Sequence, residues 1–110
     1  MIQNFTFGKI IIDGKTYDYD LKIKQDKVIR WDYIKHHTVT VKDIEELFDN
    51  TDYVVVGIGD PGAVVVEDDV KALAEKRGIK LIIEPTAKAA ESFNKLIKTE
   101  KVNAIVHLTC

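Results

Sequence analysis

The sequence predicts an α/β fold in a single domain spanning residues 1–110. Three observations predict it. Residues 5–31 alternate apolar and polar side chains about an Asp13-Gly14 turn, residues 53–108 hold three nearly unbroken apolar runs, and segments of helical period separate those runs. The first stretch reads as an antiparallel layer and the second as a sheet with helices against it.

In chain order, Phe5, Phe7 and Ile10-Ile11-Ile12 lead into Asp13-Gly14. Tyr17, Tyr19, Leu21 and Ile23 then alternate with Asp18, Asp20, Lys22 and Lys24. Asp-Gly suits a two-residue turn with positive φ at both central positions, and a period of two gives one buried and one wet face. These residues therefore read as a hairpin, to which Lys27–Trp31 adds a third extended piece. Thr40 with Asp43 three residues later opens a short helix from Val41 to Phe48. The apolar runs Tyr53 to Ile58, Ile79 to Ile83 and Val102 to Leu108 do not alternate, which suits strands covered on both faces. Between the first two, a helix runs from about Asp68 to Arg77, with acids at its positive end, bases at its negative end and Gly78 as its stop. Between the last two, a helix from about Thr86 to Lys98 turns Ala89, Ala90, Phe93, Leu96 and Ile97 inward. The joint at residues 34–40 is too short to separate domains.

Composition narrows the function classes. Sixteen basic against eighteen acidic residues leave a net charge of -2, so the chain carries no electrostatic footprint for nucleic acid or an anionic membrane. Its apolar runs fall far short of the roughly 20 residues a membrane span needs. Met1-Ile2-Gln3-Asn4-Phe5 lacks the basic-then-apolar pattern of a secretory signal, and a cytoplasmic location is expected. The lone cysteine, Cys110, excludes an internal disulfide and a multi-cysteine zinc site.

The most conspicuous motif is Gly57-Ile58-Gly59-Asp60-Pro61-Gly62, a G-x-G-x-x-G after a strand, with Glu84 where a ribose-binding acid would stand. A dinucleotide site needs a helix to begin inside the motif, so that its amides meet the pyrophosphate. Here Pro61 removes an amide, Ala63-Val64-Val65-Val66 is extended, and Asp60 has the wrong charge for phosphate. No nicotinamide, flavin or other cofactor is expected. Two readings of the loop stay open. It either turns the chain sharply, or it lines a small-ligand or partner site with its backbone amides, bounded by Gly57, Gly59, Asp60, Gly62 and Thr86. Thr86 is expected chiefly to cap its helix.

The imidazoles are His36, His37 and His107. Neighbours on an extended chain face opposite ways, so only one of His36 and His37 is expected to join a given site. No Cys or further His lies beside them at ligand spacing, and no metal is expected. His107, inside an apolar run, reads as a hydrogen-bonded core residue. Cys110 reads as a space-filling thiol, since a catalytic thiolate needs a positioned base. Trp31 with His37 forms a secondary candidate surface.

Phe7-Gly8-Lys9-Ile10, Ile12-Asp13-Gly14-Lys15-Thr16-Tyr17, Trp31 with His37, and Val55-Val56-Gly57-Ile58-Gly59 together look familiar. So do Gly78-Ile79, Thr86 with Ala89, Asn94-Lys95-Leu96 and His107-Leu108-Thr109-Cys110. Nearly end to end, the chain resembles a family of small domains of unknown function that includes the mitochondrial complex I assembly factor 3 and the adipogenesis-associated protein of the same domain type. The resemblance implies three layers: a small antiparallel β layer, and helices on both sides of a central mixed, largely parallel sheet of about five strands. It implies that one strand of the second stretch runs antiparallel and that the glycine loop is a family feature. No catalytic residue set comes with it. His36 departs from the small turn residue expected there, so a shared role for the His37 corner does not carry over. The resulting expectation is an accessory or interaction protein with a protein partner. The alternative is a small-ligand binder or enzyme using the glycine loop.

Overall fold

The computed structural model describes residues 1–110. Ile2–Thr6 (β1), Lys9–Ile12 (β2) and Lys15–Tyr17 (β3) form a three-stranded antiparallel sheet. Asp13 and Gly14 join β2 to β3 with φ of 49° and 84°, the two-residue turn that the Asp-Gly pair specifies.

The alternation from Tyr17 to Lys24 is not one strand. It breaks at Asp18–Asp20, and Leu21–Lys24 (β4) with Lys27–Arg30 (β5) forms a separate hairpin in the central sheet. Three bonds redirect the chain at the break. The Asp20 carboxylate accepts from the Leu108 amide at 2.8 Å and meets His107 Nδ1 at 2.6 Å, while its carbonyl accepts from the Trp31 amide at 2.9 Å.

Thr38–Val39 (β6) precedes helix Val41–Ile44 (α1), which tightens into a 3₁₀ turn at Glu45–Phe48. Thr40 and Asp43 form the capping box their spacing predicts. Tyr53–Ile58 (β7), Val65–Val66 (β8), Asp68–Lys76 (α2), Lys80–Glu84 (β9), Thr86–Leu96 (α3) and Val102–His107 (β10) complete the chain. β6 and β8 pair in parallel, a small ladder that sequence reading misses because each strand has only two residues.

The central sheet has the order β5-β4-β10-β7-β9. β10, β7 and β9 are mutually parallel, and the antiparallel members are β4 and β5. The antiparallel strands thus come from the first stretch of sequence, not the second. The sheet is covered on both faces, which explains the unbroken apolar runs. Val55, Ala104 and Val106 pack with Ile2, Ile10, Ala89 and Phe93, beneath α3 and the small sheet. Their neighbours Val54, Val56 and Ile105 point the other way, to Ile44, Leu47, Phe48, Val70 and Ala74 of α1, the 3₁₀ turn and α2. No helix is long and apolar enough to cross a membrane.

Candidate functional site

The parallel strands β7, β9 and β10 finish at the same end of the molecule, and both candidate sites lie there. Gly57, Gly59, Asp60, Gly62 and Thr86 do come together. Gly57 sits in β7 between Val106 and Glu84, and a Cβ on it would lie 2.9 Å from Thr86 Oγ1. Gly59 has φ +97°, and its Cβ would lie 2.6 Å from the Thr109 carbonyl oxygen. Gly62 has φ +129° and rests against Ile58.

Two of the loop's amides, and that of Ala63 just beyond it, already have partners inside the chain. Gly59 N–H donates to Thr86 Oγ1 at 2.9 Å, Asp60 N–H to the Thr109 carbonyl at 2.8 Å, and Ala63 N–H to the Cys110 carbonyl at 2.8 Å. Thr86 does not cap its own helix, which begins from Pro85. Its hydroxyl donates to the His107 carbonyl at 2.6 Å, and its amide donates to the Gly59 carbonyl at 3.0 Å. Thr86 therefore binds loop, helix and last strand together. The three surface cavities are lined by other residues. Glu84 accepts from Ser92 Oγ at 2.6 Å, and the Cys110 side chain is exposed.

Beside this loop lies a row of aromatic rings. Trp31 meets Tyr33 edge-on at 6.3 Å between centroids, Tyr33 meets His36 at 5.8 Å, His36 lies 3.9 Å from His37, and His37 meets His107 at 5.2 Å. The expectation that His36 and His37 diverge is overturned, because the chain there is not extended. Thr38 N–H bonds back to the Lys35 carbonyl at 3.2 Å, and His37 takes φ +50°, which swings both rings to one side. Burial lowers the pKa of His37 first, then the neighbouring His36 and His107; Asp20 opposes them.

His107 ends this row in a second chain of bonds. An ionised Asp20 only accepts, so His107 Nδ1–H donates to it at 2.6 Å. In the neutral imidazole Nε2 is then the acceptor for the Thr109 hydroxyl at 3.2 Å. Carboxylate, imidazole and hydroxyl stand in the order that lets an imidazole take a proton from a hydroxyl. A cavity of about 440 Å³ opens at Asp20, lined also by Tyr19, Arg30, Trp31, Asp32 and Tyr33. Sequence reading finds His107 as a hydrogen-bonded core residue but misses Asp20. Nothing in the local pattern of a strand distinguishes an aspartate whose partner lies 87 residues away.

The fold has solved counterparts. The chain is similar to the conserved hypothetical protein PH1505 from Pyrococcus horikoshii OT3, with 27% identity, a TM-score of 0.89 and coverage of 100% of this chain and 99% of that one. It is similar to a protein described as MT938 at 22% identity and a TM-score of 0.85, covering 100% of this chain and 98% of that one. A structure described as an outer membrane protein from Bartonella henselae shares the fold at 14% identity and a TM-score of 0.80, covering 99% and 94% of the two chains. No curated protein matches. Residues 2–107, which include the imidazole row, Asp20 and the glycine loop, match a single family across almost the whole chain, and the protein belongs to that family, described as a protein of unknown function, DUF498/DUF598.

Proposed function

We propose that this chain is a cytoplasmic accessory protein that binds a protein partner through the end of the molecule where β7, β9 and β10 finish. One observation carries the reading. Phe7, Tyr33, Ile34 and Val65, exposed by 60%, 47%, 64% and 61%, all belong to segments tied to that end. Gly8 N–H bonds to the Leu108 carbonyl at 2.8 Å, which brings the Phe7 turn to the end of β10. Val65 N–H bonds to the His37 carbonyl at 2.9 Å, and Tyr33 and Ile34 lie on the chain that leads to His37. Scattered exposed apolar side chains need no explanation, but four carried by segments tied to one end of the molecule do. The resemblance to the family of the mitochondrial complex I assembly factor 3 supports an assembly role.

The test is affinity capture from the native cell with the parent and a Phe7→Ser/Ile34→Ser/Val65→Thr variant. The parent is expected to retain one stoichiometric protein, and the variant to lose it at least tenfold, about 1.4 kcal/mol, with its melting temperature unchanged. A variant that retains the partner removes this surface from consideration.

The Asp20–His107–Thr109 chain beside its cavity favours a second reading, a small-ligand binder or enzyme. A thermal-shift screen of nucleotides and small acids separates the two. A ligand at 100 times its dissociation constant adds about 2.7 kcal/mol, and Asp20→Asn should reduce that gain.

A further inference from the structure

The central sheet has two outer strands whose charge patterns differ. β5 is Lys27-Val28-Ile29-Arg30 and β9 is Lys80-Leu81-Ile82-Ile83-Glu84. Antiparallel pairing of a strand with its own copy about a two-fold axis places the first residue opposite the last. On β5 this operation is out of phase, because Lys27 and Arg30 are three residues apart and the backbone groups of one face β4 where those of the other face outward. On β9 the same operation opposes Lys80 to Glu84 at both ends, with Ile82 meeting its own copy in the middle.

The backbone of β9 fits the same register. Lys80 N–H donates to the Asp52 carbonyl at 3.0 Å, and Lys80, Ile82 and Glu84 pair with Tyr53, Val55 and Gly57 of β7. In a parallel ladder alternate residues turn both backbone groups toward the neighbour, so those of Leu81 and Ile83 point to the open side. With the axis at Ile82, Leu81 of one copy opposes Ile83 of the other, and each such pair exchanges both hydrogen bonds. Lys80 and Glu84 then occupy non-hydrogen-bonded positions, where facing side chains come closest. Leu81, Ile82 and Ile83 are half-buried, and Glu84 uses only Oε1 for Ser92. An apolar edge with neither a proline nor a central charge is one that proteins cover or pair.

We infer that the protein is a two-fold dimer joined along β9, in which two five-stranded sheets become one. The partner is a second copy of this chain, selected by the Lys80–Glu84 contacts.

Size-exclusion chromatography with light scattering on the full chain tests this. At roughly 0.1 mM the parent is expected at twice the 12.5 kDa of one chain. Lys80→Glu and Glu84→Lys each set like charges across both contacts, so each alone should dissociate at least tenfold more readily. Mixed together, the two variants are complementary at both contacts and should elute as a heterodimer. Circular dichroism melts establish that each is folded, and Lys27→Glu on β5 should leave the dimer intact. A monomeric parent at that concentration overturns the inference. So does a dimeric parent whose mass neither β9 variant changes.

Discussion

Thr86 has no exposed surface, and its hydroxyl serves two backbone groups at once, the His107 carbonyl and the Gly59 amide. Thr86→Val keeps the volume and orphans both. At about 1–3 kcal/mol for each of the two unsatisfied buried groups, the variant should lose roughly 2–6 kcal/mol in chemical denaturation, and Thr86→Ser should recover most of it. Equal stability of Thr86→Val and the parent would show that the loop draws no support from this hydroxyl. His37 gives a second prediction, in pH. Burial and two neighbouring imidazoles lower its pKa from the ordinary 6.5, so the folded chain takes up a proton less readily than the unfolded one. Stability should hold above about pH 6.5 and fall below it, until His37 in the folded protein also becomes charged. His37→Asn, which tolerates the left-handed backbone found here, should flatten that decline in melts between about pH 7.5 and pH 5. Parallel profiles for parent and variant would assign the decline to other groups.

At the scale of elements, the small β1-β2-β3 sheet is tied to the rest partly through one side chain. Asn94 on α3 accepts from the Ile2 amide at 2.8 Å and donates to the Ile2 carbonyl at 2.6 Å. Asn94→Ala should cost about 1–2 kcal/mol, and amide exchange should speed up in β1 and β2 before it does in β7 or β10. Uniform acceleration would mean that the small sheet does not open by itself. The elements legible in the sequence are those whose signal is local. The apolar runs at Tyr53–Ile58 and Val102–His107, the Asp13-Gly14 turn and the Thr40–Asp43 capping box can all be read without knowing what lies across the fold. The split at Asp18–Asp20 cannot, because Asp20 turns the chain by bonding to residues 107 and 108. The imidazole row is hidden for a similar reason: a positive φ at His37 has no signature in a His-His pair. The glycine loop was visible as a motif, but the residues that take its amides, Thr109 and Cys110, lie some 50 positions away.

At the scale of the whole molecule, β10 pairs with β4 on one side and β7 on the other, and it contributes Val106 to one core and Ile105 to the other. It also follows every other element in the chain. The middle strand of the sheet is therefore translated after both of its neighbours. Until it arrives, the β4–β5 hairpin and the β7–β9 pair have no shared neighbour, and each exposes an apolar edge. Closing the sheet then requires contacts such as Ala104 with Ile23, whose sequence separation carries a large loop-closure cost and slows the search. During synthesis the chain thus passes through a stage with both half-sheets made and neither closed, when chaperone binding or mispairing competes with folding. A core strand encoded after both of its neighbours makes closure of the sheet a late step of folding.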